Sequence, residues 1–494
     1  MRQTIRLIAL SALIAGLGLM LGSRAKAQIF TNLHSFAPSD GGNPYAGVVL
    51  AGHTLYGVAS EGGIYGHGAL FAVNTNGTEF SVLHQFTLGT YDPSEGENTN
   101  SDGIHPCGSL IVSDDVLYGT TELGGSAFTG VIFRMKTDGT GFTNLHNFTT
   151  TMNDDSTNID GARPQAGVIL SGDTLYGVTT EGGLNGNGTV FAVQTNGAGF
   201  RVLHQFTGVY GSRRTNDDGA YPYGGVCVSG SNVYGTTYYG GKGGNGAVFK
   251  VNAHGTGFTN LYSFSRGDWN IYEAITNYDG ANPAGALIVS GDTIYGTTVW
   301  GGVKGEGAVF ALKTNGTGFT VLHTFSARGA YPNTTNSDGA EPWGGLVLSG
   351  RTLYGVTSIG GASDGGAVFA VTTDGASFVN LYSISNAAMS WVMPWATLCL
   401  SGGTVYGTSY YGGTGGSGTV FSLLFSPALT FNCSGSKIIL SWPTNFAGLT
   451  LKSTTNLASS SGWSTVLPAP VIVNGQNTVT NTMASGCLFY QLTR

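Results

Sequence analysis

The chain has 494 residues, of which 82 are Gly, and only 10% are charged. Its net charge of −7 gives no electrostatic reason to bind nucleic acid or an anionic membrane surface. Aromatic residues reach 11%, too many for a disordered glycine-rich polymer, so short strands joined by tight turns are expected.

Residues 1–27 stand apart. Arg2 and Arg6 precede an apolar run from Leu7 to Leu21, and Ala25 and Ala27 form an A-x-A pattern before Gln28. That is the pattern of a cleavable secretory signal, too short for a convincing membrane span. No second long apolar run follows. The mature chain is therefore expected outside the cytoplasm, extracellular or periplasmic, without a membrane span and as a monomer.

Residues 28–424 repeat one phrase. Its Tyr falls at Tyr56, Tyr118, Tyr176, Tyr234, Tyr295, Tyr354 and Tyr406, 52 to 62 residues apart. The third copy is representative. "AGVILS" (166–171), "TLYGVTT" (174–180), "GTVFAVQ" (188–194) and "FRVLHQF" (200–206) read as four strands, a to d. The a–b link is two or three residues and the c–d link is built on Asn-Gly, both tight hairpin signals. Four consecutive antiparallel strands in tandem are a propeller blade. The seventh copy stops after strand c at 418–424, while "IFTNLHSF" (29–36) matches strand d and has no blade of its own. The expectation is a seven-bladed β-propeller closed by its N-terminal strand, which hides edges that would otherwise invite aggregation.

The pattern "LYGxTxxGG…GxVFxVxTxGxxFxxLHxF" over about residues 29–424 resembles the GloVer tandem-repeat family of secreted bacterial proteins. That resemblance implies a repeat frame and variable C-terminal anchors, and no particular activity. No hydrophobic anchor is expected at the end of this chain. Its blades are also similar to kelch blades, with Tyr in strand b before Gly-Gly, but Phe or Leu stands where kelch has Trp.

Residues 425–494 lose Gly and gain Ser, Thr and Asn. About six short strands, "LTFNC", "KIILSWP", "LTLKSTTNL", "WSTVL", "PVIVNGQNTVT" and "CLFYQLTR", suggest a small immunoglobulin or fibronectin-III-like β-sandwich. Cys433 and Cys487 both lie in this tail and are candidates for a disulfide.

Chemistry is sparse. Five connections into strand a end in Thr-Asn-x-Asp-Gly-x-x-Pro, beginning with Asn100 and Asp102. Clustered oxygens suit calcium, while the competing reading is an Asx turn followed by a Pro. No other cofactor is expected. His34, His84, His146, His204 and His323 recur on strand d, with Tyr262 and Tyr382 in the same slot, and suit a hydrogen-bonding ring rather than a metal site. Before Gly-Gly the residue varies: Glu61 and Glu181 in the first and third copies, with Glu122 one place earlier in the second, then Tyr238-Tyr239, Trp300 and Tyr410-Tyr411. Trp343, Trp391 and Trp395 lie close to strand a. One arc of the loop face is thus acidic and the other aromatic, a surface for stacking sugars or anchoring peptides unless the rings pack the loops. The chain reads as a secreted or cell-surface binding or scaffold protein for a glycan or protein, with no catalytic residue assignable. The alternative is an extracellular carbohydrate-active enzyme, a hydrolase or lyase using loop-face carboxylates.

Overall fold

A computed structural model describes residues 7–9, 28–92, 97–152, 156–212, 214–269, 275–329, 334–385, 393–425, 429–434, 436–443, 449–455, 462–473, 476–482 and 488–493. The expected signal segment lies outside these residues except for Leu7–Ala9, and Trp391 and Cys487, with the expected disulfide, lie outside them altogether. The described chain is all-β and propeller-like. It separates into two units, one of residues 31–399 with 406–422, the other of residues 1–30, 400–405 and 423–494.

Each of the first six repeats forms a four-stranded antiparallel sheet with its strands in sequence order. The third holds Ile169–Ser171, Thr174–Thr179, Thr189–Gln194 and Arg201–Gln205. The recurring Gly after Tyr has a packing reason. Gly177 sits opposite Phe191 across the ladder, and a Cβ on it would lie 2.5 Å from the Phe191 ring. Each sheet thus folds an aromatic ring over its own backbone, and only Gly leaves the room. The core lies between neighbouring sheets: Phe206 and Val178 of the third repeat pack with Val233 and Phe249 of the fourth.

The N-terminal strand behaves as its sequence suggests. Ile29–Ser35 takes the outer place beside Thr419–Leu424 in the sheet of the seventh repeat. Leu33 and Phe36 then pack with Leu55 and Phe71 of the first repeat and Val420 of the last. At the other end of the same sheets Gly47 approaches Thr397 so closely that a Cβ would lie 2.2 Å from its carbonyl oxygen.

Neighbouring sheets are also stapled at their outer strands. His204 stacks on Phe258 of the next repeat with ring centroids 3.6 Å apart, and its Nε2 donates to Asp218 Oδ2 at 2.9 Å. His84 with Asp102, His146 with Asp160 and His323 with Asp338 repeat this bond at 2.9 to 3.0 Å. The Tyr262 hydroxyl replaces the imidazole, donating to Asp279 at 2.7 Å. His34 stacks on Phe80, joining the N-terminal strand to the first repeat by the same device.

The smaller unit holds two sheets. Thr430–Ser434, Lys437–Pro443, Gln476–Thr482 and Val471–Val473 form one; Leu7–Ala9, Leu488–Thr493, Thr450–Thr454 and Ser464–Thr465 form the other. Trp442, Leu440, Val479, Leu451, Tyr490 and Leu492 share its core.

Candidate functional site

Sequence reasoning placed interest at the residues before Gly-Gly, and backbone pairing fixes where they sit. The loop after strand b pairs with the connection entering strand a of the same repeat. Tyr239 bridges Ala220, Trp300 bridges Ala281, Glu61 bridges Gly42 and Glu181 bridges Ala162. These four residues are therefore equivalent. Tyr238 and Tyr410 sit one position earlier, each edge-on to the ring that follows it, at 4.8 and 4.6 Å.

The rings of the expected aromatic arc differ in burial. Tyr238 is buried at 8% exposure, lying 5.1 Å from Tyr223 and stacked 5.9 Å from Trp343. Trp343 lies 6.4 Å from Trp395, which touches Tyr45 at 5.1 Å and Tyr410 at 4.7 Å. These rings form one continuous aromatic group drawn from the first, fourth, sixth and seventh repeats. Burial pushes the Tyr45 and Tyr238 hydroxyls well above their usual range, and nearby cysteine, tyrosine and carboxyl groups add to the effect. Tyr411 stands at 38% exposure, edge-on to Tyr410.

The carboxylates are engaged. Glu61 accepts the Tyr410 hydroxyl at 2.9 Å. Arg163 lies 3.2 Å from Glu181 and 3.5 Å from Glu122, and Glu122 also accepts from Gln165 at 2.8 Å. Arg328 donates to Glu306 at 2.9 Å and lies 3.4 Å from Glu341. Burial raises the Glu341 carboxyl, against the opposing pull of Arg328.

Asn100 and Asp102 divide the turn between them. The Asn100 carbonyl oxygen accepts the amides of Gly103 and Gly125, and its amide donates to the Thr87 and Gly103 carbonyls. Asp102 accepts from His84 and from the amide and hydroxyl of Thr87. Among the described residues no group of three His, Cys, Asp or Glu gathers as a metal site.

Two features escaped the sequence. The first is the residue before Pro in Asp-Gly-x-x-Pro and its equivalents. Asn43, His105, Arg163, Tyr221, Asn282, Glu341 and Met393 all take positive φ, between 38° and 56°. A non-glycine residue there is uncommon and costs strain. The signal was present as a position of constant place and changing chemistry. The second is a cavity of about 470 Å³ between the loops of the fourth and fifth repeats, lined by Tyr238, Tyr239, Trp300, Arg214, Arg266 and Asn282 among others. Its outer wall includes the small hairpin Asp268–Trp269 with Ile275–Thr276, inserted in the connection between these repeats. The cavity brings Tyr238, Tyr239 and Trp300 together; Tyr410, Tyr411, Glu61 and Glu181 do not line it.

The profile of the Gloeobacter/Verrucomicrobia repeat family matches residues 94–274 and 213–335. No curated protein sequence matches the chain. Among solved structures, an oligogalacturonate lyase in complex with manganese is 10% identical, with 86% of this chain and 99% of that one covered at a TM-score of 0.45. YCF48 from Cyanidioschyzon merolae is 11% identical, with 80% and 98% covered at 0.45. A chain of a nidogen/laminin complex is 14% identical, with 70% and 98% covered at 0.37. No helix among the described residues is long and apolar enough to cross a membrane.

Proposed function

We propose that this chain is a secreted binding protein rather than an enzyme. Residues 1–27 are its leader, residues 28–424 a closed seven-bladed propeller, and residues 425–494 an immunoglobulin or fibronectin-III-like spacer. Its loop face holds a saccharide. The observation that carries this reading is the meeting of the aromatic group with the 470 Å³ cavity at Tyr238, which belongs to both. Aromatic faces suit the apolar faces of sugar rings, and a concave wall with a few polar groups supplies orientation. The loop-face carboxylates Glu61, Glu122 and Glu181 hold hydroxyl, amide or guanidinium partners, which suits a frame better than turnover. A glycan array probed with residues 28–494 tests this. Binding is expected, and Trp300→Ala should weaken it about fivefold or more with little change in melting temperature. Silence across the array overturns the reading.

A second reading, a glycan-cleaving enzyme, draws support from Glu341. A carboxyl raised by burial has the character of a general acid. Release of new reducing or unsaturated ends from a glycan, abolished by Glu341→Gln, would favour it.

A further inference from the structure

We infer that the cavity between the fourth and fifth repeats takes an acidic sugar, a uronate residue within a glycan. This rests on the saccharide-binding reading and adds the sign of the ligand's charge.

Four observations converge. The volume, about 470 Å³, lies within the range of small-molecule sites. Tyr239 and Trp300 supply aromatic surface from equivalent positions in consecutive repeats.

The third observation is the charge of the wall. Arg214 and Arg266 line the cavity, Arg214 with its guanidinium carbon 5.0 Å from the centre of the Tyr239 ring. Three other arginines hold carboxylates, Arg163 with Glu122 and Glu181, Arg328 with Glu306 and Glu341, and Arg351 with Asp374, while Arg201 donates to the Ala253 carbonyl. Among the described residues Arg214 and Arg266 form no such pair. Asp268 is the single carboxylate among the described lining residues, so the wall carries a net positive charge on a chain of net charge −7. A guanidinium beside an aromatic ring suits a carboxylate held in the plane of its fork.

The fourth is an orphaned acceptor. Asn282 is 2% exposed and lines the cavity. Its Nδ2 donates to the Tyr238 carbonyl at 2.8 Å, while its Oδ1 accepts nothing. A buried polar atom left unpaired is costly, and it marks a place where a donor is missing. Asn282 is one of the strained positive-φ residues, at 56°. A sugar hydroxyl supplies that donor after a small shift of the amide, and Asp268 offers a second acceptor in the lining. A uronate satisfies both demands, presenting hydroxyl donors and a carboxylate on one flat ring. An acidic peptide offers the carboxylate but lacks that ring.

The test is calorimetric titration of residues 28–494 with cellotriose and with its C6-oxidised uronate trimer, which differ only in their carboxylates. The uronate should bind at least about tenfold more tightly, and the difference should shrink with added salt. Arg214→Gln and Arg266→Gln, both at exposed positions, should each cost the uronate about tenfold, cost cellotriose clearly less, and leave the melting temperature unchanged. Equal binding of the two trimers, with both variants silent, overturns the charge assignment and leaves the saccharide reading standing. Absence of binding by either trimer, with a positive glycan array, overturns the cavity as the site. An oligo-aspartate peptide that binds as tightly as the uronate overturns the sugar assignment.

Discussion

Replacing Asp218 by Asn should cost about 2–4 kcal/mol, because the carboxylate is an acceptor for several donors at once. Asp218 is 7% exposed. It accepts from His204 Nε2 at 2.9 Å, from the Thr207 amide at 3.1 Å and from the Thr207 hydroxyl. A carboxamide of the same shape keeps one oxygen, so its NH₂ must face a donor that previously met an acceptor. Hydrogen bonds to a charged group contribute about 1.5–3 kcal/mol each, and one is retained, which sets the estimate. The staple also holds His204 on Phe258, so the loss loosens contact between the third and fourth repeats. The assay is urea unfolding followed by tryptophan fluorescence, comparing midpoints at constant slope. Asp217→Asn is the control, since Asp217 is exposed and should change stability by less than about 0.5 kcal/mol. If Asp218→Asn unfolds at the same midpoint as the control, the aspartates are not what ties the repeats together.

Acid should unfold the protein through these same groups. In Asp102, Asp160, Asp218 and Asp338 burial alone would raise the carboxyl, but the His and Thr or Ser hydrogen bonds outweigh it and hold each below 3.8. A depressed carboxyl contributes stability that is present above its unfolded value and lost as pH falls through its folded one. Stability should therefore drop below about pH 3.8, and Asp218→Asn should make that drop shallower, as read from melting temperature against pH. Phe36→Ala, removing a ring 1% exposed between the N-terminal strand and the first repeat, should cost about 3–5 kcal/mol. Deleting residues 28–37 should go further, abolishing a cooperative melt or leaving the chain insoluble. A wild-type melt of that truncation would refute closure by the N-terminal strand. Gly177→Ala should cost about 1–3 kcal/mol in urea unfolding, since its Cβ would press 2.5 Å from Phe191.

Much of the frame could be read along the chain. Alternating apolar residues, Asn-Gly turns and the copy of strand d at residues 29–36 are local signals, and the sheets of the first six repeats are each made of residues close in sequence. The Asx turn was legible for the same reason, since Asn100 bonds to Gly103 three residues away. The aspartate beside it was not, because its partner His84 lies across a long connection that folds back on itself. The site shows the same division. Tyr239 and Trp300 could be singled out by their place before Gly-Gly, yet sequence treated Tyr238 and Tyr239 as one pair. The two rings touch edge-on at 4.8 Å, and only contacts between repeats decide that Tyr238 also stacks on Trp343.

By itself the sequence determined the repeat, its four strands, and the borrowed strand that completes the seventh sheet, because period-two alternation and turn chemistry act over a few residues. Only the tertiary structure decided which side chains meet between repeats. The placement of the repeats sets whether His204 reaches Asp218, whether Trp343 of the sixth repeat stacks on Tyr238 of the fourth, and whether Arg214, Trp300 and Asn282 line one space. Those contacts join residues 14 to 105 positions apart, and the assembly of the repeats brings them together.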